Sequence, residues 1–240
     1  MQMTDYSLAS RMRHADFLIL AKDYKALETE ANEMKKLDNV NPRILRYLGY
    51  AAYENGNYDA AIKALTDYIA KGTKVIQADH YYLGLAKIAK ATATPDKTDQ
   101  ALFQSGYNDL KGAVTAEHSL ANSLNELGKK FFSAKNYNAA ASIFELGILS
   151  PEIKYYDENN LYYAFTVYTL NRGKSLKELD VPAMEKASAA LDQVIASDPS
   201  YAESYMVKAR INSALEKDAI ASENYTKYVE LITAKGADEV

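Results

Sequence analysis

Leu48-Gly49-Tyr50-Ala51-Ala52-Tyr53-Glu54-Asn55-Gly56-Asn57-Tyr58-Asp59-Ala60-Ala61-Ile62 reads as two helices meeting at a tight turn. Leucine, alanine and tyrosine carry the first segment, Asn55-Gly56-Asn57 interrupts it, and a second helical segment starts at Tyr58. The same order returns in Leu127-Gly128-Lys129-Lys130-Phe131-Phe132-Ser133-Ala134-Lys135-Asn136-Tyr137-Asn138-Ala139-Ala140. Each first helix carries a Leu-Gly step, each turn is built from Gly, Asn or Lys, and each second helix opens on Tyr before small residues. Two copies of one helix-turn-helix pattern point to a repeat architecture, which has to be recognised before any single element is interpreted.

The rest of the chain agrees with a helical reading. Its 240 residues can bury a sizeable core, and only five prolines and ten glycines interrupt a composition rich in Ala, Leu, Lys, Glu and Tyr. A net charge of −4 argues against a broad nucleic-acid surface, which needs clustered Lys and Arg. The absence of cysteine removes disulfides, thiolate catalysis and Cys-based zinc sites. No run of eighteen apolar residues is present, and Met1-Gln2-Met3-Thr4-Asp5-Tyr6-Ser7 lacks the order of a secretory signal. The chain is therefore expected to be soluble.

The two quoted stretches resemble the tetratricopeptide-repeat (TPR) family, whose units place Leu-Gly in the first helix and Tyr…Ala in the second. The resemblance implies an all-α, right-handed α-solenoid of about six helix-turn-helix repeats, spanning roughly 8–40, 42–72, 77–117, 121–151, 157–199 and 202–232. In the family's frame the eighth position is small because the two helices cross there, and it falls here on Ala15, Gly49, Gly84, Gly128, Ala164 and Ala209. Position 20, the matching point on the second helix, holds Leu27, Ala61, Gly106, Ala140, Ala187 and Ala221. Position 24 holds Ala31, Leu65, Leu110, Phe144, Leu191 and Tyr225, placed to knit each pair to its neighbour. The first repeat departs from the pattern at Arg11, His14 and Leu27, as terminal repeats often do.

Length alternates as well. The small positions recur in double steps of 79 (49 to 128), 80 (84 to 164) and 81 (128 to 209), because repeats three and five carry extra residues between their helices. A super-repeat of about eighty residues follows, one short and one long pair. Asp79-His80-Tyr81-Tyr82-Leu83-Gly84 aligns with Asn159-Asn160-Leu161-Tyr162-Tyr163-Ala164. In both long repeats a proline is expected to open the second helix, at Thr94-Pro95 and Val181-Pro182, with Thr94 and Asp180 as N-caps. Inherited length variation and a docking edge both remain open as readings of the longer loops. Residues 1–240 are expected to form one TPR array, a fragment of a longer one. Its last pair closes near Ile232 and leaves apolar surface bare.

Signs of chemistry are absent. His14, His80 and His118 lie in different repeats without ligand spacing, and no phosphate-cradling or nucleophile-elbow motif occurs. No enzyme activity, cofactor or metal is expected. The resemblance implies instead a protein-interaction scaffold holding an extended peptide in the groove lined by the first helices. Frame positions 2, 5, 9, 12 and 13 give the candidate partner-binding residues Arg43, Arg46, Tyr50, Tyr53, Tyr81, Asn122, Asn125, Lys129, Phe132, Phe165 and Tyr168. Tyr and Arg supply large contacts, Asn can hold an extended backbone, and Arg43, Arg46 and Lys129 are placed to receive a carboxylate from an acidic segment or a chain terminus. The alternative is an assembly module that contacts folded domains or associates with itself through the C-terminal end. The carboxylate clamp of chaperone-binding members is missing, since Arg46 is followed by Tyr50, Met12 by Asp16 and Asn125 by Lys129. The Ala-, Asn-, Lys- and Tyr-rich composition looks like envelope-associated TPR proteins of some Gram-negative bacteria, which implies the periplasm or envelope before the cytoplasm.

Overall fold

The computed structural model describes residues 7–72, 74–94 and 97–238, with side chains described as far as residue 234. Among these, twelve α-helices and two 3-10 turns occur, and no strand. The chain divides into two compact units, Met1–Glu117 and His118–Val240. The N-terminal unit contains the pairs α1 (Leu8–Leu20) with α2 (Tyr24–Leu37), α3 (Arg43–Glu54) with α4 (Tyr58–Lys71), and α5 (Gln77–Ala91) with α6 (Gln100–Ala116). The C-terminal unit contains α7 (Leu124–Ser133) with α8 (Tyr137–Gly147), α9 (Tyr156–Asn171) with α10 (Val181–Ser197), and α11 (Ala202–Ala214) with α12 (Asp218–Asp238). Within each unit, successive helices pack on their chain neighbours, the helix-pair architecture of an all-α solenoid.

The turns inside the short pairs share one construction. The residue after the first helix's C-cap has positive φ in each: Lys22 (57°), Gly56 (82°), Lys135 (60°) and Glu216 (56°). The next amide then reaches back to the helix, as Asn57 N–H does to Ala52 O (2.7 Å) and Asn136 N–H to Phe131 O (3.0 Å). Asp23, Asn57 and Asn136 cap the second helix through their side-chain oxygens. One left-handed residue and one side-chain cap therefore reverse the chain in three residues.

The small positions lie where the helices cross. A Cβ on Gly49 would stand 2.5 Å from Leu65 Cγ, and one on Gly128 2.5 Å from the Phe144 ring. In the long pair of the N-terminal unit the backbones themselves meet, since a Cβ on Gly84 would stand 2.8 Å from Gly106 O. Ala15, Ala164 and Ala209 are fully buried. The position-24 side chains thus fill the space that the glycines leave, and Leu65, Leu110, Phe144 and Leu191 are wholly enclosed.

Three expectations need correction. The second helix of the third pair begins at Gln100, capped by Asp99, whose side chain accepts from Leu102 N–H at 3.0 Å; Thr94 is not its cap, and Pro95 lies outside the described residues. Asp180 does cap α10, with Pro182 in its first turn. The last helix continues past Ile232 to Asp238. Tyr225, expected to be packed, is 40% exposed, because no helix among the described residues lies over it.

Candidate functional site

The first helices of the N-terminal unit bring Arg46, Tyr50 and Asp79 together in its interior. Asp79 is completely buried. It accepts from Arg46 Nε (2.7 Å) and Nη2 (2.8 Å), from the Tyr50 hydroxyl (2.8 Å) and from Ile76 N–H (2.8 Å), the last at the start of α5. Arg46 also donates to Lys74 O (2.6 Å), and its guanidinium lies over the Tyr68 ring at 4.8 Å. Burial disfavours the charged guanidinium, but the hydrogen bonds and charge of Asp79 outweigh it and hold the Arg46 pKa above its ordinary value. Burial first, and then the Asp79 charge, pushes the Tyr50 phenol well up. This arrangement ties α3, the α4–α5 connection and α5 into one junction.

Arg46, Tyr50 and Tyr81 therefore do not line an open wall, as the sequence led us to expect. Arg46 keeps 13% of its side chain exposed, and Tyr50 and Tyr81 are buried. Arg43 stays at the surface but holds Asp16 through Nη2 at 2.8 Å. Around Tyr53, which is half-buried, the rings form a cluster. Tyr82 stacks on Tyr50 at 4.1 Å, meets Tyr53 edge-on at 5.6 Å, and reaches the Tyr24 hydroxyl at 3.4 Å and Glu54 Oε1 at 3.2 Å. Burial, followed by the bond to Tyr24, raises the Tyr82 phenol pKa strongly.

The C-terminal unit repeats this plan with other residues. In place of Arg46 and Asp79, about eighty residues on, stand Asn125 and Asn159, both fully buried, with Asn125 Nδ2 donating to Asn159 Oδ1 at 3.0 Å. Asn125, expected at the groove surface, is thus buried against α9. Where Tyr50 meets Tyr82, Lys129 lies 5.8 Å from the Tyr162 ring. Lys129 binds Glu158 Oε1 at 2.7 Å, and this bond, the leading cause, raises its pKa. Phe132 meets Tyr137 and Tyr162 edge-on, each at 5.4 Å, and Tyr162 stacks on Phe144 at 5.1 Å. Lys154 lies over Tyr155 at 4.9 Å. Asn122 accepts from Lys154 N–H (3.1 Å) and donates to Ser119 O (3.0 Å), which ties down its own loop. Phe165 and Tyr168 are half-buried on α9.

Each cation expected to receive a partner's carboxylate thus already holds one from its own chain: Asp16 on Arg43, Asp79 on Arg46, Glu158 on Lys129. The surface that remains is aromatic, made by Tyr53 and Tyr82 in one unit and by Phe132, Tyr162, Tyr155, Phe165 and Tyr168 in the other. Tyr82 and Tyr162 were absent from the sequence-based set because they occupy frame position 6, outside the groove positions. Their alignment in the eighty-residue super-repeat was the available signal. No helix among the described residues is long and apolar enough to cross a membrane.

No family model matches the chain, and no curated protein matches it. Solved structures do. The C-terminal part of a TPR repeat-containing protein from Cytophaga hutchinsonii superimposes with a TM-score of 0.53 at 22% identity, over 94% of this chain and 81% of that one. A TPR protein of Thermus thermophilus gives a TM-score of 0.47 at 15% identity, over 87% of this chain and 99% of that one.

Proposed function

From the premise that this chain is a TPR-type repeat protein by fold, we propose that it is a non-enzymatic scaffold whose first-helix faces bind an extended peptide or protein segment. The observation that carries this reading is the pair of partly exposed aromatic clusters, one in each unit, set on first helices whose buried residues already fix them. Rings held in place lose little entropy on contact and supply most of the energy in such interfaces. In the C-terminal unit Phe132, Tyr162, Phe165 and Tyr168 would take apolar or aromatic side chains, with Lys129 at their edge. In the N-terminal unit Tyr53 and Arg43 play these parts. An acidic segment or terminal carboxylate would reach Lys129 by displacing Glu158, and Arg43 by displacing Asp16. Arg46 is closed to such an exchange.

An array of extended peptides, with and without acidic residues, tests the reading, its strongest binders being titrated by fluorescence anisotropy. Phe132→Ala is expected to weaken binding about tenfold or more, the range of an aromatic anchor. Lys129→Glu should weaken acidic peptides selectively. Binders indifferent to both changes would refute the assignment.

A second reading, assembly through the end of the C-terminal unit, is favoured by one observation. Ile220, Tyr225, Val229 and Ile232, all on α12, are exposed apolar residues, and large exposed apolar faces mark contact surfaces.

A further inference from the structure

Within each unit, the second helix of one pair is covered by the first helix of the next. The residues doing the covering recur at fixed places. On the covered helices they are Leu27, Ala31 and Met34 of α2, Ala61, Leu65 and Tyr68 of α4, and Leu191 with Val194 of α10, none more than 6% exposed. On the covering helices two places seven residues apart are buried throughout: Ile44 and Ala51 in α3, Asp79 and Ala86 in α5, Asn159 and Thr166 in α9, Ser204 and Ile211 in α11, none above 2%. Contacts give the register between them. Phe144 of α8 stacks on Tyr162 of α9, Gly147 faces Asn159, and Ala61 of α4 shares a cluster with Ala86 of α5.

Two helices break this rule in complementary ways. On α12 the residue aligned with Ala31, Leu65 and Leu191 is bare, Tyr225 being 40% exposed, and Val229 one turn on is 53% exposed, while Ala221, between them and α11, is buried; an open depression of 960 Å³ lies along Ser213, Ala221, Ser222, Tyr225 and Val229. On α1 the covering place that holds Ala51, Ala86, Thr166 and Ile211 elsewhere is Phe17, 63% exposed, with Leu20 82% exposed one turn on. We infer that α12 of one copy is covered by α1 of a second copy, head to tail, in the register used inside each unit. This inference rests on the assembly reading above and names its partner.

In that register Phe17 lies over Ala221, inside the depression, as Ala86 lies over Ala61. Arg13, one turn earlier and exposed, falls over the Tyr225 ring, where Tyr162 lies over Phe144. Charge does not oppose the pairing: α1 carries Arg13 and Arg11, the latter held by Glu30 of its own chain at 2.9 Å, against Asp16, whereas α12 carries Asp218, Glu223 and Glu230 against Lys227 among its described side chains. Because the two faces differ, the contact is heterologous: each copy keeps one face open for the next, unlike a two-fold dimer.

Sedimentation velocity on the 240-residue chain tests this over a wide concentration range. The mass is expected to rise with concentration above the 26.7 kDa of one chain. Phe17→Asp and Tyr225→Glu change exposed side chains, so circular dichroism should stay unchanged while each variant alone sediments as a single chain. Mixed in equal amounts, the two should form a species of twice that mass and nothing larger, since one intact face remains on each. Val229→Glu should behave like Tyr225→Glu. A wild-type chain that stays at 26.7 kDa overturns the inference and the assembly reading together. Association of Phe17→Asp equal to wild type, or failure of the mixture to combine, overturns the head-to-tail partner while leaving the end face as an interface. Peptide binding at Phe132 is expected to be unaffected by these changes, which separates this test from that of the groove.

Discussion

Removing the Asp79 carboxylate gives the sharpest test of how the N-terminal unit is held together. Asp79→Ala leaves the Tyr50 hydroxyl and the Ile76 amide without their acceptor, and Arg46 without its counter-charge, in a place where Asp79 itself has no solvent contact. Breaking a buried ion pair from one side costs about 3–5 kcal/mol. Arg46 retains Lys74 O, the Tyr68 ring and 13% exposure, which puts the loss near the lower end, about 3 kcal/mol. Urea unfolding followed by circular dichroism reads this as a lowered midpoint with a nearly unchanged slope. The informative comparison is the triple change Arg46→Met, Tyr50→Phe, Asp79→Leu, which removes the side-chain donors and the acceptor together and leaves only the Ile76 amide and the Lys74 carbonyl, in the exposed α4–α5 connection, to turn to water. It should recover to within about 1 kcal/mol of wild type, since apolar replacements of a whole buried pair are often neutral. If Asp79→Ala costs less than about 1 kcal/mol, or the triple variant is as unstable as the single one, the junction does not work as described.

The glycines give a matched pair of predictions by thermal unfolding. Gly128→Ala drives a methyl into the Phe144 ring and should cost about 1–3 kcal/mol, whereas Gly112→Ala, in α6 with nothing within 4 Å, should gain up to about 1 kcal/mol. Stability should also fall in alkali. Tyr50 and Tyr82 have folded pKa values raised above the ordinary 10.0, so their contribution is complete below that pH and is lost as pH rises above it, when only the unfolded chain releases its protons. Melting temperature should be flat from neutral pH to about pH 9.5 and drop beyond it, with a fraction of the phenols ionising only on unfolding; phenols that all titrate freely in the folded protein would contradict this.

The fold was legible because its evidence is local. Gly49, Gly84 and Gly128 announce helix crossings, and Gly56-Asn57 and Lys135-Asn136 announce turns, wherever the pairs finally sit. The site was less legible. Position in the frame places Arg43 and Arg46 on one helix face, yet only packing decides that Arg43 meets Asp16 at the surface while Arg46 turns inward to Asp79. Asn125 looked like a groove amide for the same reason. A clue was present in the pairing, because Arg46–Asp79 and Asn125–Asn159 exchange together between the two copies of the super-repeat. The missed cap has a different origin: Thr94 precedes a proline, but the helix that forms starts only at Gln100, next to Asp99.

That exchange bears on how a duplicated chain avoids confusing its own halves while it folds. Were α9 to settle on α3, Arg46 would face Asn159, and were α5 to settle on α7, Asp79 would face Asn125. Either hybrid sets a largely buried charge opposite a neutral amide, which costs more than leaving the Asn125 Oδ1 and Asn159 Nδ2 of the matched pair without partners. The two locks thus act as a password, turning away look-alike segments that backbone shape alone would admit.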